Sequence, residues 1–188
     1  MSTNQIVFFT SNPAKLKEAE QAFRPFGIEI ISHNFDFLEI QSDSQEAVLR
    51  DKVNQVQGKE TRPYLVDDSG FYLEAYPEFP GVNSKFVYQT IHYAGILRLL
   101  PSSISRRAYF RAVIGLNING QVHVFEGRCD GIVPEHERGE TQKGFLFEPI
   151  FVPDGSTQTM AEMSPEERKR FSYRAAALEK AAQFVSKL

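Results

Sequence analysis

The chain has 188 residues, of which 41% are hydrophobic and 24% charged, an ordinary globular composition that predicts a single domain over 1–188 able to fold alone. Its formal net charge of −3 argues against bulk electrostatic binding to nucleic acid or to an anionic membrane, so any phosphate site must be local. No apolar run approaches membrane-span length, the lone Cys129 has no internal disulfide partner, and Met1–Gln5 carries neither a basic nor a long apolar segment, so a soluble protein of a reducing cytoplasm is expected.

In chain order, Ile6–Phe9 has the length of a buried strand and runs into Thr10-Ser11-Asn12-Pro13, where Asn12 suits an N-cap and Pro13 the first helical position. A helix is predicted from Pro13 to about Phe23, with Leu16, Ala19, Glu20 and Phe23 on its inner side and Gly27 ending it. Ile28–Ser32 reads as a strand; Ser44 opens a helix with Val48, Leu49, Val53 and Val56 on one face, closed by Gly58. Tyr64–Val66 is a short strand expected to deliver Asp67-Asp68-Ser69-Gly70 at its C-terminal end, with an extended segment over Phe71–Tyr76. Helical spacing covers Phe86–Leu100, and Arg107–Ile118 with Gln121–Arg128 flank the turn signal Asn119-Gly120, prolonged by Gly131–Val133. Pro134–Lys143 reads as a loop and Gly144–Val152 as strand and loop. Ser164-Pro165 opens a short helix to about Phe171, and Ser172 caps a last helix burying Ala176, Ala177, Ala181, Phe184 and Val185. Early alternation of strands and helices with a central hairpin predicts an α/β fold with a mixed sheet.

Three segments can carry chemistry. Thr10–Lys15 sets hydroxyls, an amide and a lysine at a strand-to-helix junction that attracts phosphate, or else it is a plain capped helix with Lys15 and Lys17 in solvent. Asp67 and Asp68 suit a divalent cation, with one carboxylate activating water, or else form an exposed turn. Glu39 is a third acid, or a surface glutamate on an edge strand. Lys52 and Lys85 can line phosphates, although a helical lysine is exposed by default. The four histidines, His33, His92, His123 and His136, lack metal-ligand spacing. Phe145, Phe147 and Phe151 fit a core, or an aromatic face beside Glu148 for a base.

Thr10–Lys15, Glu39–Ser42, Asp67–Gly70, Phe79–Val82, Gly144–Phe151, Ala161–Ser164 and Ser172–Arg174, in this order, resemble the inosine/xanthosine triphosphate pyrophosphatase family over nearly the whole chain. The resemblance implies an elongated mixed sheet flanked by helices, two lobes with an active-site cleft between them, and a homodimer. It implies magnesium-assisted attack of water on the α-phosphorus of a nucleoside triphosphate, releasing the monophosphate and pyrophosphate. Carried over by position, Glu39, Asp67 and Asp68 hold the metal, with Asp68 as general base and Lys15 assisting. Thr10, Ser11, Asn12, Lys15, Lys52, Ser69 and Lys85 bind the substrate, with Asn12 and Lys15 on its phosphates. Phe145, Leu146, Phe147, Glu148, Arg168, Tyr173 and Arg174 fall in the base-recognition half.

That second half departs from the family pattern. Gly144-Phe145-Leu146-Phe147-Glu148-Pro149 stands where the family reads Gly-Phe-Gly-Tyr/Phe-Asp-Pro, Arg168 replaces a lysine, and Ser172-Tyr173-Arg174 replaces Ser-His-Arg. Tyr173 carries no positive charge near neutral pH, and Glu148 reaches one methylene further, so the hydrogen-bond pattern offered to a base must differ. Ser11 in place of glycine is a milder change. The leading expectation is therefore an altered base specificity. The others are the standard activity on ITP, dITP and XTP, and a nucleotide-binding protein without turnover.

Overall fold

The computed structural model describes residues 4–140 and 146–188. Its strands are β1 (Gln5–Phe9), β2 (Glu29–His33), β3 (Tyr64–Leu73), β4 (Pro80–Gly81), β5 (Arg107–Ile118), β6 (Gln121–Ile132) and β7 (Val152–Pro153). Its helices are α1 (Pro13–Phe23), α2 (Gln45–Val56), α3 (Ser84–Arg98), α4 (Pro165–Lys169) and α5 (Tyr173–Val185), with short 3-10 turns at Arg24–Phe26, Glu148–Ile150 and Met160–Glu162. The strands form one seven-stranded sheet of order β2-β1-β3-β5-β6-β7, with β4 pairing β3 off this path. The sheet is mixed: β1 is parallel to β2 and β3, whereas β3–β4 and β6–β7 are antiparallel. The α/β class with a mixed sheet is thus the observed one.

The chain divides into two compact units, the first comprising Met1–Ser69, Ala112–Gly127 and Tyr173–Leu188, the second Gly70–Arg111 and Arg128–Ser172. In the first unit strand alternation sorts the core into two layers. Ile6, Phe8 and Leu65 pack with α1 residues Ala19, Ala22 and Phe23 and α5 residues Ala177, Leu178, Ala181 and Ala182. Val7, Phe9, Tyr64 and Val66 face the other way, onto Leu49, Val53 and Val56 of α2. Asn12 and Ser44 cap α1 and α2 through their side chains, because each supplies an oxygen to an otherwise unpaired N–H in the first turn. Gly127 on β6 lets α5 approach: a Cβ there would lie 1.9 Å from the carbonyl oxygen of Tyr173, so no larger residue fits without displacing the start of that helix.

The second unit is built on aromatic rings. Phe71 stacks on Phe147 at 4.7 Å and 11° and meets Phe110 and Phe151 at 5.1 and 6.0 Å. Asn119 and Gly120 both adopt positive φ, 53° and 76°, and turn β5 into β6 as the Asn-Gly signal predicts.

Four expectations need correction. The acidic pair does not end a strand: β3 runs unbroken through Asp67, Asp68, Ser69 and Gly70 to Leu73. The helix expected over Phe86–Leu100 starts at Ser84 and is kinked at His92, which has φ 51° and ψ −168°. Around Pro149 the chain forms a 3-10 turn and not an extended run, since the proline ring fixes φ in the helical range. The buried face of α5 is Arg174, Ala177, Leu178, Ala181, Ala182 and Val185, whereas Ala176 and Phe184 are only half-buried.

Candidate functional site

The first cluster lies in the first unit, where β1 meets α1. Thr10 is buried; its hydroxyl oxygen accepts the Asn12 N–H at 3.1 Å and its carbonyl accepts the Ser32 hydroxyl at 2.7 Å. Asn12 Oδ1 accepts the Ala14 N–H at 2.9 Å, so this amide is occupied in capping. Ser11 is exposed. Lys15 does not float in solvent as a plain capped helix would have it: its ammonium lies 2.9 Å from Asp67 Oδ1 and 2.8 Å from Oδ2. Lys17, by contrast, is exposed.

Adjacent strand residues point to opposite faces, which separates the two carboxylates. Asp67 shares the face of Leu65 and meets Lys15 of α1 and Arg174 of α5, the latter with Nε 3.3 Å from Oδ2. Asp68 shares the face of Val66 and meets Lys52 of α2, whose ammonium donates to Asp68 Oδ1 at 2.8 Å and to the Asp67 carbonyl at 3.1 Å. These cations allow a strand to continue through two acids that read as a turn.

The environments push the two acids apart. Burial raises the Asp67 carboxyl, but Lys15, Arg174 and Lys52 outweigh it and hold the group below its ordinary range. At Asp68 burial is the largest influence and the Asp67 charge adds to it, so the carboxyl sits above its ordinary range despite Lys52. Burial alone would lower the Lys52 ammonium; Asp68, Asp67 and Glu39 raise it. Glu39 itself is exposed in the segment before α2.

Arg174 is 5% exposed. Its Nη1 donates to Glu18 at 2.8 Å and its Nη2 to Ser69 Oγ at 3.2 Å, so the guanidinium engages this chain along each edge. Burial lowers its pKa, but Tyr173, Glu18 and Asp67 outweigh that and raise it, keeping it charged. Glu18 was not singled out by the sequence. It lies one turn from Lys15 on α1, and its only signal there is a Lys-x-x-Glu spacing shared by any solvated helix.

The donor set fits a hard cation. Asp68 Oδ2 is buried without a hydrogen-bond partner among the described residues, which leaves lone pairs for an electropositive ligand. No three His, Cys, Asp or Glu side chains among the described residues are grouped to hold a metal by themselves. Magnesium tolerates this, because it keeps waters and takes phosphate oxygens beside one or two carboxylates.

A second cluster lies in the second unit. Glu148, 4% exposed, accepts from Arg168 at 2.9 Å, a buried pair joining the 3-10 turn to α4. The carbonyl of Leu146 accepts the Tyr93 hydroxyl at 2.5 Å. The Phe147 ring is 2% exposed and stacked on Phe71, so it serves the core and presents no face to a base. Phe145 lies outside the described residues. Lys85 is exposed in the first turn of α3. Tyr173, at the start of α5 in the first unit, is half-buried with its ring 5.5 Å from the Arg174 guanidinium carbon. No helix among the described residues is long and apolar enough to cross a membrane.

The dITP/XTP pyrophosphatase of Thermococcus kodakarensis is 41% identical over 181 residues, covering 96% of this chain and 97% of that protein. That of Pyrococcus horikoshii is 41% identical over 174 residues, covering 93% and 92%. Among solved structures, a HAM1 protein from Coxiella burnetii superposes with a TM-score of 0.81 at 26% identity, over 98% of this chain and 99% of that one. Residues 6–184 match the Ham1 family, and the chain belongs to that family, which carries the pyrophosphatases the sequence resembles.

Proposed function

We propose that the chain hydrolyses a nucleoside triphosphate to the monophosphate and pyrophosphate with magnesium, and that its base preference differs from that of dITP/XTP pyrophosphatases. Asp68 carries the reading: one carboxylate oxygen is fixed by Lys52, the other is buried and without a hydrogen-bond partner among the described residues, and burial raises the group. A carboxylate whose proton affinity is raised by burial is a better base for water than an exposed one. Asp68, with Asp67 and Glu39 assigned by the resemblance, would hold the ion, which would supply polarisation of the phosphate oxygens and a lowered pKa of the attacking water. Lys15 and Lys52 offset the charge of the triphosphate, assisted by the capped turn Thr10–Asn12 and by Ser69. Lys85 is assigned to the same substrate by position.

The altered preference rests on the second cluster. Arg168 and Glu148 neutralise each other in a buried pair, and Leu146 stands where the family has glycine. Each of these changes alters the donors and acceptors that its position offers, and so does Tyr173, which replaces the family's histidine in the first unit. The near-complete coverage at 41% identity by the Thermococcus kodakarensis protein favours a second reading, the standard dITP and XTP activity. Cytoplasmic residence, expected from the single cysteine, and a homodimer, implied by the resemblance, complete the proposal.

Pyrophosphate release measured with magnesium over natural, deaminated and modified ribo- and deoxyribonucleotides separates the readings. A preference of about tenfold or more for a base other than hypoxanthine or xanthine is expected, a difference of about 1.4 kcal/mol. Turnover confined to ITP, dITP and XTP overturns the altered preference, and binding without turnover on any substrate overturns the enzyme.

A further inference from the structure

Glu39 sits on a stretch of chain with little of its own to hold it. Between β2 and α2, residues 34–44 form no helix or strand, and among the described residues no backbone–backbone hydrogen bond anchors 34–43. The Phe35 and Phe37 rings meet Phe9 edge-on at 5.8 and 6.4 Å and fix the first part of the stretch. Beyond them packing stops: Leu38 and Ile40, on either side of Glu39, are 79% and 41% exposed.

A single side chain stands in for that packing. Gln55 of α2 accepts the Leu38 N–H at Oε1, 2.9 Å away, and donates from Nε2 to the Leu38 carbonyl at 2.7 Å, the pair of bonds that a neighbouring strand would make. Asp51, one turn earlier on the helix, accepts from the same Nε2 at 2.6 Å. An ionised carboxylate only accepts, so Asp51 settles which end of the amide faces the Leu38 N–H. Lys52 lies three residues from Gln55, a neighbouring position on the helix surface, and holds Asp68. One helix thus registers Asp68 through Lys52 and the backbone beside Glu39 through Gln55. Glu39 is close enough to Lys52 to be among the charges that raise its ammonium.

We infer that Gln55 is a positioning residue for the cation site: its two bonds to Leu38 hold the backbone that carries Glu39, so that this carboxylate meets the ion already ordered. The inference rests on the pyrophosphatase reading above and deepens it. Without the clamp, binding of the ion has to order the segment as well, and that entropy cost weakens binding. The phosphate contacts assigned to Asn12 and Lys15 lie where β1 meets α1 and are spared.

The test compares wild type, Gln55→Met, Glu39→Gln and the double variant. Methionine keeps the reach and helix propensity of glutamine and removes both bonds. Without magnesium or nucleotide, Gln55→Met is expected to speed hydrogen exchange of the Leu38 amide about tenfold or more, with the Val53 and Val56 amides of α2 moving less than about twofold. The magnesium concentration that half-saturates thermal stabilisation should rise about threefold or more, and kcat for pyrophosphate release should fall by a similar factor with nucleotide KM within about twofold. Added to Glu39→Gln, Gln55→Met should cost nothing further. An unchanged Leu38 exchange rate removes the clamp and the inference with it. Faster exchange with an unchanged magnesium midpoint and kcat assigns Gln55 a structural role only and overturns the inference. Equal losses with and without Glu39, or no magnesium stabilisation of wild type, also overturn it. If Gln55→Met does not fold, Asp51→Ala, which keeps the amide but frees its orientation, decides by the same readouts. If wild type releases no pyrophosphate, the function reading fails while the exchange and magnesium measurements still decide the role of Gln55.

Discussion

Asp68→Asn is expected to lower kcat for pyrophosphate release by about a thousandfold, within the range for loss of a general base, while nucleotide affinity changes only a few-fold. Asparagine keeps an oxygen for the Lys52 ammonium, which now lies 2.8 Å from Asp68 Oδ1 and also donates to the Asp67 carbonyl. The fold therefore loses little, under about 2 kcal/mol. What asparagine lacks is the negative charge and the proton affinity that burial raises at Asp68. Single-turnover kinetics with saturating magnesium and equilibrium nucleotide binding measure the two quantities separately. A fully active Asp68→Asn protein would remove Asp68 as the base.

Arg174→Met is expected to cost about 3–5 kcal/mol of stability, because it withdraws one partner from a buried ion-pair group. Asp67, with a side chain 4% exposed, keeps Lys15, but Glu18 loses its arginine and Ser69 loses a donor. For a chain of this length the melting temperature falls by roughly 10 °C. Arg50→Met is the control. Its pair with Glu46 lies at 2.6 Å with both side chains 57% exposed, and solvent-exposed pairs are worth less than about 1 kcal/mol. Denaturant unfolding of both variants measures the contrast, and equal losses would mean that the buried group does not bind the first unit together.

Much of the architecture was legible because local chemistry and tertiary packing agree. Asn12-Pro13 and Ser44 mark helix starts through their own side chains, Val48, Leu49, Val53 and Val56 repeat at helical spacing, and Asn119-Gly120 supplies the positive φ of a two-residue turn. Misreadings fall where charge decides. Asp67 and Asp68 look like a strand end until Lys15, Lys52 and Arg174 are seen to neutralise them from three different helices. For the same reason Arg174 was missed on the buried face of α5: an apolar pattern skips a guanidinium whose partners are on α1 and β3. Glu18 had only a helical Lys-x-x-Glu spacing to mark it, since the packing of α1 against α5 is what gives it an arginine. Phe147 was ambiguous between core and base contact, and its stack on Phe71 places it in the core.

The central claim is a reaction, water attacking the α-phosphorus with Asp68 as base, and it is tested most directly by the fate of solvent oxygen. Turnover of the preferred nucleoside triphosphate in ¹⁸O-labelled water, followed by mass spectrometry of the products, should place one label in the nucleoside monophosphate and leave the pyrophosphate unlabelled. Label in pyrophosphate, or release of orthophosphate as the primary product, would contradict it.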